Sequence, residues 1–249
     1  WFFVSLAFSP EPGMAFPQIK KFYVFLMLPV TMSVLHGAAD FLRIALGWIL
    51  VASASALLAM GQFVWKYLAA QQAGVDFYTA YVASRITGFM SHWMTLGGQQ
   101  MNIILLAASF TLFVSDRIRK WLIPAILFLG VAMLAGWTRS IWLGTAVGGL
   151  YLVWCWRRWF ILLTPLPVAL LLIANPANLR ERVISSFQPH GDTDSNRFRE
   201  ICRVTGWEII KAHPLLGLGP EQVKVQFQKW IPADVKRPLP PGYYQHLHN

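Results

Sequence analysis

The sequence predicts an all-α membrane protein: a polytopic bundle of transmembrane helices with one large helical loop outside the bilayer. Three observations predict it. Of 249 residues, 56% are hydrophobic and only 13% charged, against about 25% charged in an ordinary soluble domain. Twelve Trp and seven Tyr suit the aromatic belts found at membrane interfaces. Apolar runs follow one another as far as Ala174, and the longest polar stretch, 194–249, comes last.

Taken in order, the opening run Trp1–Phe8 is too short to span a bilayer, which needs about 20 apolar residues. It is expected to be part of a first helix cut by truncation. The chain also stops inside a motif at Asn249, so it is expected to be an internal fragment truncated at both ends. Ser9 to Gln18 contains S-P-E-P-G and reads as a turn-rich loop. Lys20 and Lys21 precede an apolar run from Phe22 to Leu35, interrupted by Pro29. A second run covers Phe41 to Val64, with a small-residue face (Ala52, Ser55, Ala59) suited to close helix packing in lipid. Trp65 to Trp93 mixes aromatic and polar residues and is expected to lie along the interface. Further spans are expected at Met94–Val114, Trp121–Trp137, Ile141–Trp156 and Trp159–Ala174. Residues 1–174 thus read as about seven transmembrane helices, the first partial. Residues 175–249 read as a large loop outside the bilayer, with the C-terminal helices missing.

That last stretch has its own order. Asp194, Ser195 and Asn196 are N-cap residue types, and Phe198, Ile201, Cys202 and Thr205 then share a helical face, with Ile209 roughly in line. Pro214 cannot continue the helix, which should stop near Ala212. Gly217 and Gly219 allow a turn. Pro220 suits the first position of a second helix carrying Val223, Phe227 and Trp230.

The net charge of +10 is not concentrated in a soluble basic domain. An anionic lipid or phosphate partner fits it better than nucleic acid. Cys155 and Cys202 have no CxxC spacing, which supports neither a disulfide framework nor a zinc site.

The pattern R-x-x-x … W-x-x-x … H-P-L-L-G-L-G-P, with H-N near the end of the chain, resembles the large loop of the O-antigen ligase and polymerase family. The resemblance implies a C-type glycosyltransferase-like fold in the bacterial inner (plasma) membrane. It implies transfer of a glycan from an undecaprenyl pyrophosphate carrier to an acceptor hydroxyl, such as lipid A core or a growing polysaccharide, with the active site on the periplasmic face. Relatives that ligate, polymerise or modify protein share the donor and differ in acceptor. Charge does not fix the orientation. With the tail outside, six Lys and Arg flank the spans inside (Arg43, Arg117, Arg119, Lys120, Arg157 and Arg158). Five lie outside: Lys20, Lys21, Lys66, Arg85 and Arg139. The resemblance places the tail outside, and an outer face this rich in cations is then expected to meet an anion.

The candidate site residues combine both lines of reasoning. Arg139, in G-W-T-R-S-I-W-L-G, is by itself either an arginine snorkelling to the headgroups or a functional one. The family has an arginine after Ser or Thr and before an apolar helix, which implies that Arg139 holds pyrophosphate oxygens. Arg197 alone would pass for a surface arginine, with Arg199 and Arg203 as neighbours. The family's loop arginine lies just ahead of the helix leading to H-P-x-x-G-x-G, which favours Arg197 as catalytic and leaves Arg199 and Arg203 as substrate-binding candidates. His248 is the candidate base, with His246 a near alternative. Neither has a carboxylate close by nor an HExxH frame, so no metal and no cofactor are expected. Arg85, with His92 nearby, is a substrate-binding candidate, or else an interfacial arginine. The expected partners are the lipid-linked glycan donor, the acceptor and membrane lipids, without nucleic acid.

Two rival readings remain. A transporter would use Pro29, Pro124, Pro165 and Pro167 to break helices, but it predicts ionisable pairs at mid-membrane, and the charges cluster at span ends. A non-catalytic assembly partner in envelope polysaccharide export leaves Arg139 and the H-N ending unexplained.

Overall fold

The computed structural model describes residues 1–114, 116–174, 195–233 and 235. Every regular element among them is helical. In chain order the α-helices are α1 (Phe2–Ala7), α2 (Phe16–Lys20), α3 (Met27–Val34), α4 (Ala38–Ala73), α5 (Phe77–Ala83), α6 (Trp93–Phe113), α7 (Asp116–Ala135), α8 (Arg139–Trp156), α9 (Pro165–Ala174), α10 (Ser195–Ala212) and α11 (Gln222–Trp230). The chain divides into two compact units: Trp1–His36 with Gln188–Asn249, and Gly37–Phe187.

Among the described residues of the second unit, three helices are long and apolar enough to cross a membrane: Ala38–Ala73, Trp93–Phe113 and Ile118–Ala135 of α7. The all-α membrane fold expected from composition is therefore what the chain adopts. The packing follows membrane rules. The buried face of α4 is made of Ala45, Ile49, Ala52, Ser55, Ala56 and Ala59, while Leu50, Val51, Leu57 and Leu58 face outward. Small residues let helix backbones approach, and lipid covers the large ones. The contacts between α6 and α8 run in parallel register. A Cβ on Gly97 would lie 3.0 Å from Ile141, one on Gly144 2.8 Å from Met101, and one on Gly148 2.6 Å from Leu105. Both helices therefore start at the same end of the unit. The core joins Ile49, Ala52 and Ala56 of α4, Ile103 and Ala107 of α6, and Leu122, Leu129 and Ala132 of α7.

Several elements depart from the sequence expectation. The expected span Phe22–Leu35 is a 3-10 stretch, Lys21–Leu26, followed by α3. Pro29 sits in the first turn of α3, where its missing N–H costs nothing. Trp159–Ala174 likewise divides into a 3-10 stretch, Arg158–Leu163, and α9 opening on Pro165. The run expected to end at Val64 continues as helix to Ala73, because nothing before Gly74 breaks it; Gly74 ends it at φ 64°.

In the first unit, α10 spans Ser195–Ala212, the bounds expected from its caps and Pro214. Ile201, Cys202, Thr205 and Ile209 are buried. Ile201 and Cys202 pack with Phe227 and Ile231. The helix after the glycine turn begins at Gln222, and Pro220 belongs to the turn. Glu221 stands at φ 64°, a conformation no helical residue takes.

Candidate active site

Arg139 is the first residue of α8, and the turn before it is built to hold it there. The preceding Gly136 closes α7 through N–H bonds to the carbonyls of Ala132 and Met133. Trp137 then takes φ 47°, a left-handed conformation that costs a bulky residue about 1–3 kcal/mol. Packing maintains it. Trp137 is 0% exposed and lies against Tyr81, with centroids 4.9 Å apart, and against Phe77 and Tyr78 at 5.8 and 5.3 Å. Tyr81 is equally buried and donates its hydroxyl to the carbonyl of Ala135 at 2.6 Å. Burial pushes the Tyr81 phenol up, so it stays a neutral donor. The helix thus starts with Arg139 fixed at its positive end. The helix dipole favours an anion there.

Arg85 reaches the same turn. Its Nη1 donates at 3.5 Å to the Trp137 carbonyl and to the Thr138 hydroxyl, while its Nε reaches the Val82 carbonyl at 3.4 Å. The guanidinium stacks 5.1 Å over Trp93, the first residue of α6. The loop carrying Arg85 is strapped to α4. Gln62 Oε1 accepts from the N–H groups of Thr87 and Gly88 at 2.9 and 3.0 Å, and Ser55 Oγ accepts from Phe89 N–H at 3.1 Å. Gly88, at φ 56°, leaves no room for a side chain: a Cβ there would sit 2.8 Å from the Ser55 carbonyl. His92 is taken up locally. Its Nδ1 accepts from Met94 N–H at 3.2 Å and its ring stacks on Trp93.

Two of the residues singled out from sequence, Arg85 and Arg139, therefore belong to one arrangement. Arg197 lies in the first turn of α10 by its backbone, and its side chain lies outside the described residues. Arg199 and Arg203 are exposed on α10. His246 and His248 lie outside the described residues. Among the described residues, no three His, Cys, Asp or Glu side chains gather as metal ligands do.

Sequence reasoning missed the residues that position the site: Gln62, Tyr81, Trp93 and Trp137. Only Ser55 carried a signal, as part of the small-residue face, and its hydroxyl turns out to anchor the Arg85 loop. Trp137 was visible in G-W-T-R, but a left-handed tryptophan has no sequence signature.

The H-P-L-L-G-L-G-P motif forms a turn with its own supports in the first unit. Gly217, Gly219 and Glu221 take φ 65°, 93° and 64°. Gly219 lies so close to Ser9 that a Cβ would meet Ser9 Oγ at 2.5 Å. Ser5 donates to the Leu216 carbonyl at 2.6 Å, and Gln222 Nε2 to the Glu11 carbonyl at 3.0 Å. Glu221 accepts from Gln18 and pairs with Lys224 at 2.6 Å. These two contacts, Lys224 foremost, hold its carboxyl below the usual range. His213 packs edge-on against Trp230.

No curated protein and no solved structure matches the chain. A family profile, described as O-antigen ligase, matches residues 123–249. That segment takes in the Thr138–Arg139 turn, α10 and the H-N ending, while Arg85 lies upstream of it. A match over just over half of the chain, to the family that its loop pattern resembles, places this protein in the O-antigen ligase family.

Proposed function

We propose that the chain is the donor-binding part of a glycosyltransferase. It would transfer a glycan from undecaprenyl pyrophosphate to an acceptor hydroxyl, in O-antigen ligation to lipid A core or a related polymerisation. One observation carries this reading: an arginine inside the family match, at the start of a helix, on a strained turn held by buried aromatics and a second arginine. Strain of this kind persists only where surrounding structure enforces it, and it concentrates at functional sites. The acceptor oxygen attacks the anomeric carbon, the C–O bond to pyrophosphate breaks, and a base takes the hydroxyl proton. Negative charge grows on the leaving pyrophosphate, so fixed cations stabilise the transition state more than the ground state. Arg139 and Arg197 supply those cations by paired N–H bonds, His248 is the base, and no metal is needed. Attack opposite the leaving group inverts the anomeric centre. Arg85, Arg199 and Arg203 bind the donor.

The proposal places residues 1–174 in the inner membrane as about seven spans, with 175–249 on the periplasmic side. A cysteine introduced at Gln188 should react with an impermeant maleimide in intact cells; labelling only after lysis would reverse the orientation. In the full-length protein, His248→Ala should lower transfer by about 10² to 10⁴ while binding of the lipid-linked donor stays near wild type, because the base touches only the acceptor. Transfer should continue in EDTA. Equal transfer by His248→Ala and wild type, at equal expression, would remove the base assignment.

A further inference from the structure

A cleft in the same unit reaches Ser84, one residue along the chain from Arg85. Gly74 reverses the chain at the end of α4, and α5 folds back on the last turns of that helix through Phe77, which meets Phe63 and Tyr67 at 5.6 and 5.2 Å. The fold-back leaves a cleft of about 280 Å³ with walls of Ala70, Ala73, Val75 and Ala80. Its rim is polar: Lys66 Nζ donates to Ser84 Oγ at 2.7 Å. The Ser84 proton then remains to be donated, since a hydroxyl both accepts and donates. Trp65 stands beside Lys66, with the ammonium 5.9 Å from the ring centre.

The depth of the cleft points to its ligand. The apolar run of α4 ends at Val64 and is followed by Trp65, Lys66 and Tyr67, the aromatic and cationic residues that settle at headgroup level. A cation and a hydroxyl converge at the depth of lipid phosphates, over walls that suit hydrocarbon. We propose that this cleft is a docking subsite for the phosphate of a polyprenyl phosphate or pyrophosphate and the first carbons of its chain. The proposal rests on the glycosyl-transfer reading for the identity of the lipid, and on the cleft for the site. Lys66–Ser84, Arg85 and Arg139 then form a row of phosphate donors that a carrier headgroup can follow without leaving the interface.

The experiment uses the full-length protein in phosphatidylcholine nanodiscs with a diazirine-bearing polyprenyl phosphate. Adducts are mapped by mass spectrometry. Adducts within 65–84 are expected in the wild type and about tenfold fewer in Lys66→Ala, which removes a charge-assisted contact. Lys66→Arg should retain them. Ala80→Phe fills the cleft from the exposed side of α5 and should remove them with the charge intact. Wild-type yield in both Lys66→Ala and Ala80→Phe overturns the site. Displacement of the probe by unlabelled polyprenyl phosphate supports it. Equal displacement by phosphatidylglycerol overturns the polyprenyl assignment in favour of a general phospholipid, and equal displacement by inorganic pyrophosphate overturns any role for the apolar walls. Transfer by Arg139→Lys is measured alongside. Loss of transfer there with unchanged labelling in both Lys66→Ala and Ala80→Phe overturns the subsite alone. Normal transfer there, with labelling lost in Lys66→Ala, overturns the catalytic reading and leaves the subsite standing.

Discussion

The turn ending at Arg139 and the turn His213–Glu221 both belong to the family pattern, and both force non-glycine residues into left-handed backbone. They do so for different ends. At the first, strain is borne by a buried tryptophan, and the product is a fixed arginine at a helix start, with a second arginine bonded to the same turn. At the second, strain is borne by glycines and by Glu221, and the product is docking of the turn onto the chain's own N-terminal segment through Ser5, Ser9 and Gln18. The arginines of the first unit that are described, Arg199 and Arg203, stand on the exposed side of α10. The family pattern therefore mixes two kinds of residue: those that hold an arginine at a helix start and those that hold one segment of the fold to another.

The largest expected effect tests the first kind. Arg139→Lys keeps the charge but loses the planar fork. Removal of one preorganised donor from a site of this type costs on the order of 10² to 10³ in rate. Arg203→Ala, on the exposed face, should change transfer several-fold at most, through donor binding, and should lose that effect in high salt. A silent Arg139→Lys would make Arg139 a snorkelling residue, and a loss at Arg203 as deep as at Arg139 would erase the contrast.

A smaller effect concerns the glycines. Gly88→Ala meets both a left-handed φ and a backbone carbonyl 2.8 Å from the new methyl. Backbone cannot step aside as a side-chain tip can, so the loop carrying Arg85 must shift. A loss of about 1–3 kcal/mol from conformation alone is expected, with the clash added. Gly217→Ala has the same sign of φ and no atom within 4 Å, so only the conformational part applies. Thermal unfolding of the two variants in the same nanodiscs should rank Gly88→Ala clearly below Gly217→Ala. The reverse order would mean that the glycine turn, and not the Arg85 loop, is the more constrained region.

The ends of α10 were legible because cap residues and Pro214 act locally. The small face of α4 was legible because helix packing in lipid selects Ala and Ser at regular spacing. Arg139 was singled out only through its resemblance to a family pattern, since one arginine at a span end is ambiguous. What joins Arg85 to it was not legible. Gln62, Tyr81 and Trp137 are distant in sequence, and their roles are hydrogen bonds and ring contacts that arise only once α4, α5 and α7 pack. The continuation of α4 past Val64 was missed because aromatic and cationic residues read as an interface, although a helix runs through Lys66 to Ala73 without a breaker.

The smallest effect falls on Glu221. Its partner Lys224 is 44% exposed and screened by solvent, so the pair is worth about 1 kcal/mol or less. The sign of its pH dependence is nevertheless fixed. The folded carboxyl lies below its ordinary range because Lys224, and after it Gln18, bond the charged form. The unfolded chain therefore takes up the proton first as pH falls. The contribution is complete above the unfolded carboxyl's range and is lost as pH drops through the folded one. Glu221→Gln should accordingly raise amide exchange across 213–222 at pH 7. The difference from wild type should shrink through the acidic range once exchange times are corrected for pH. A difference that grows on acidification would show that Glu221 stabilises the turn in its protonated form, and the ion pair would then be incidental to the turn.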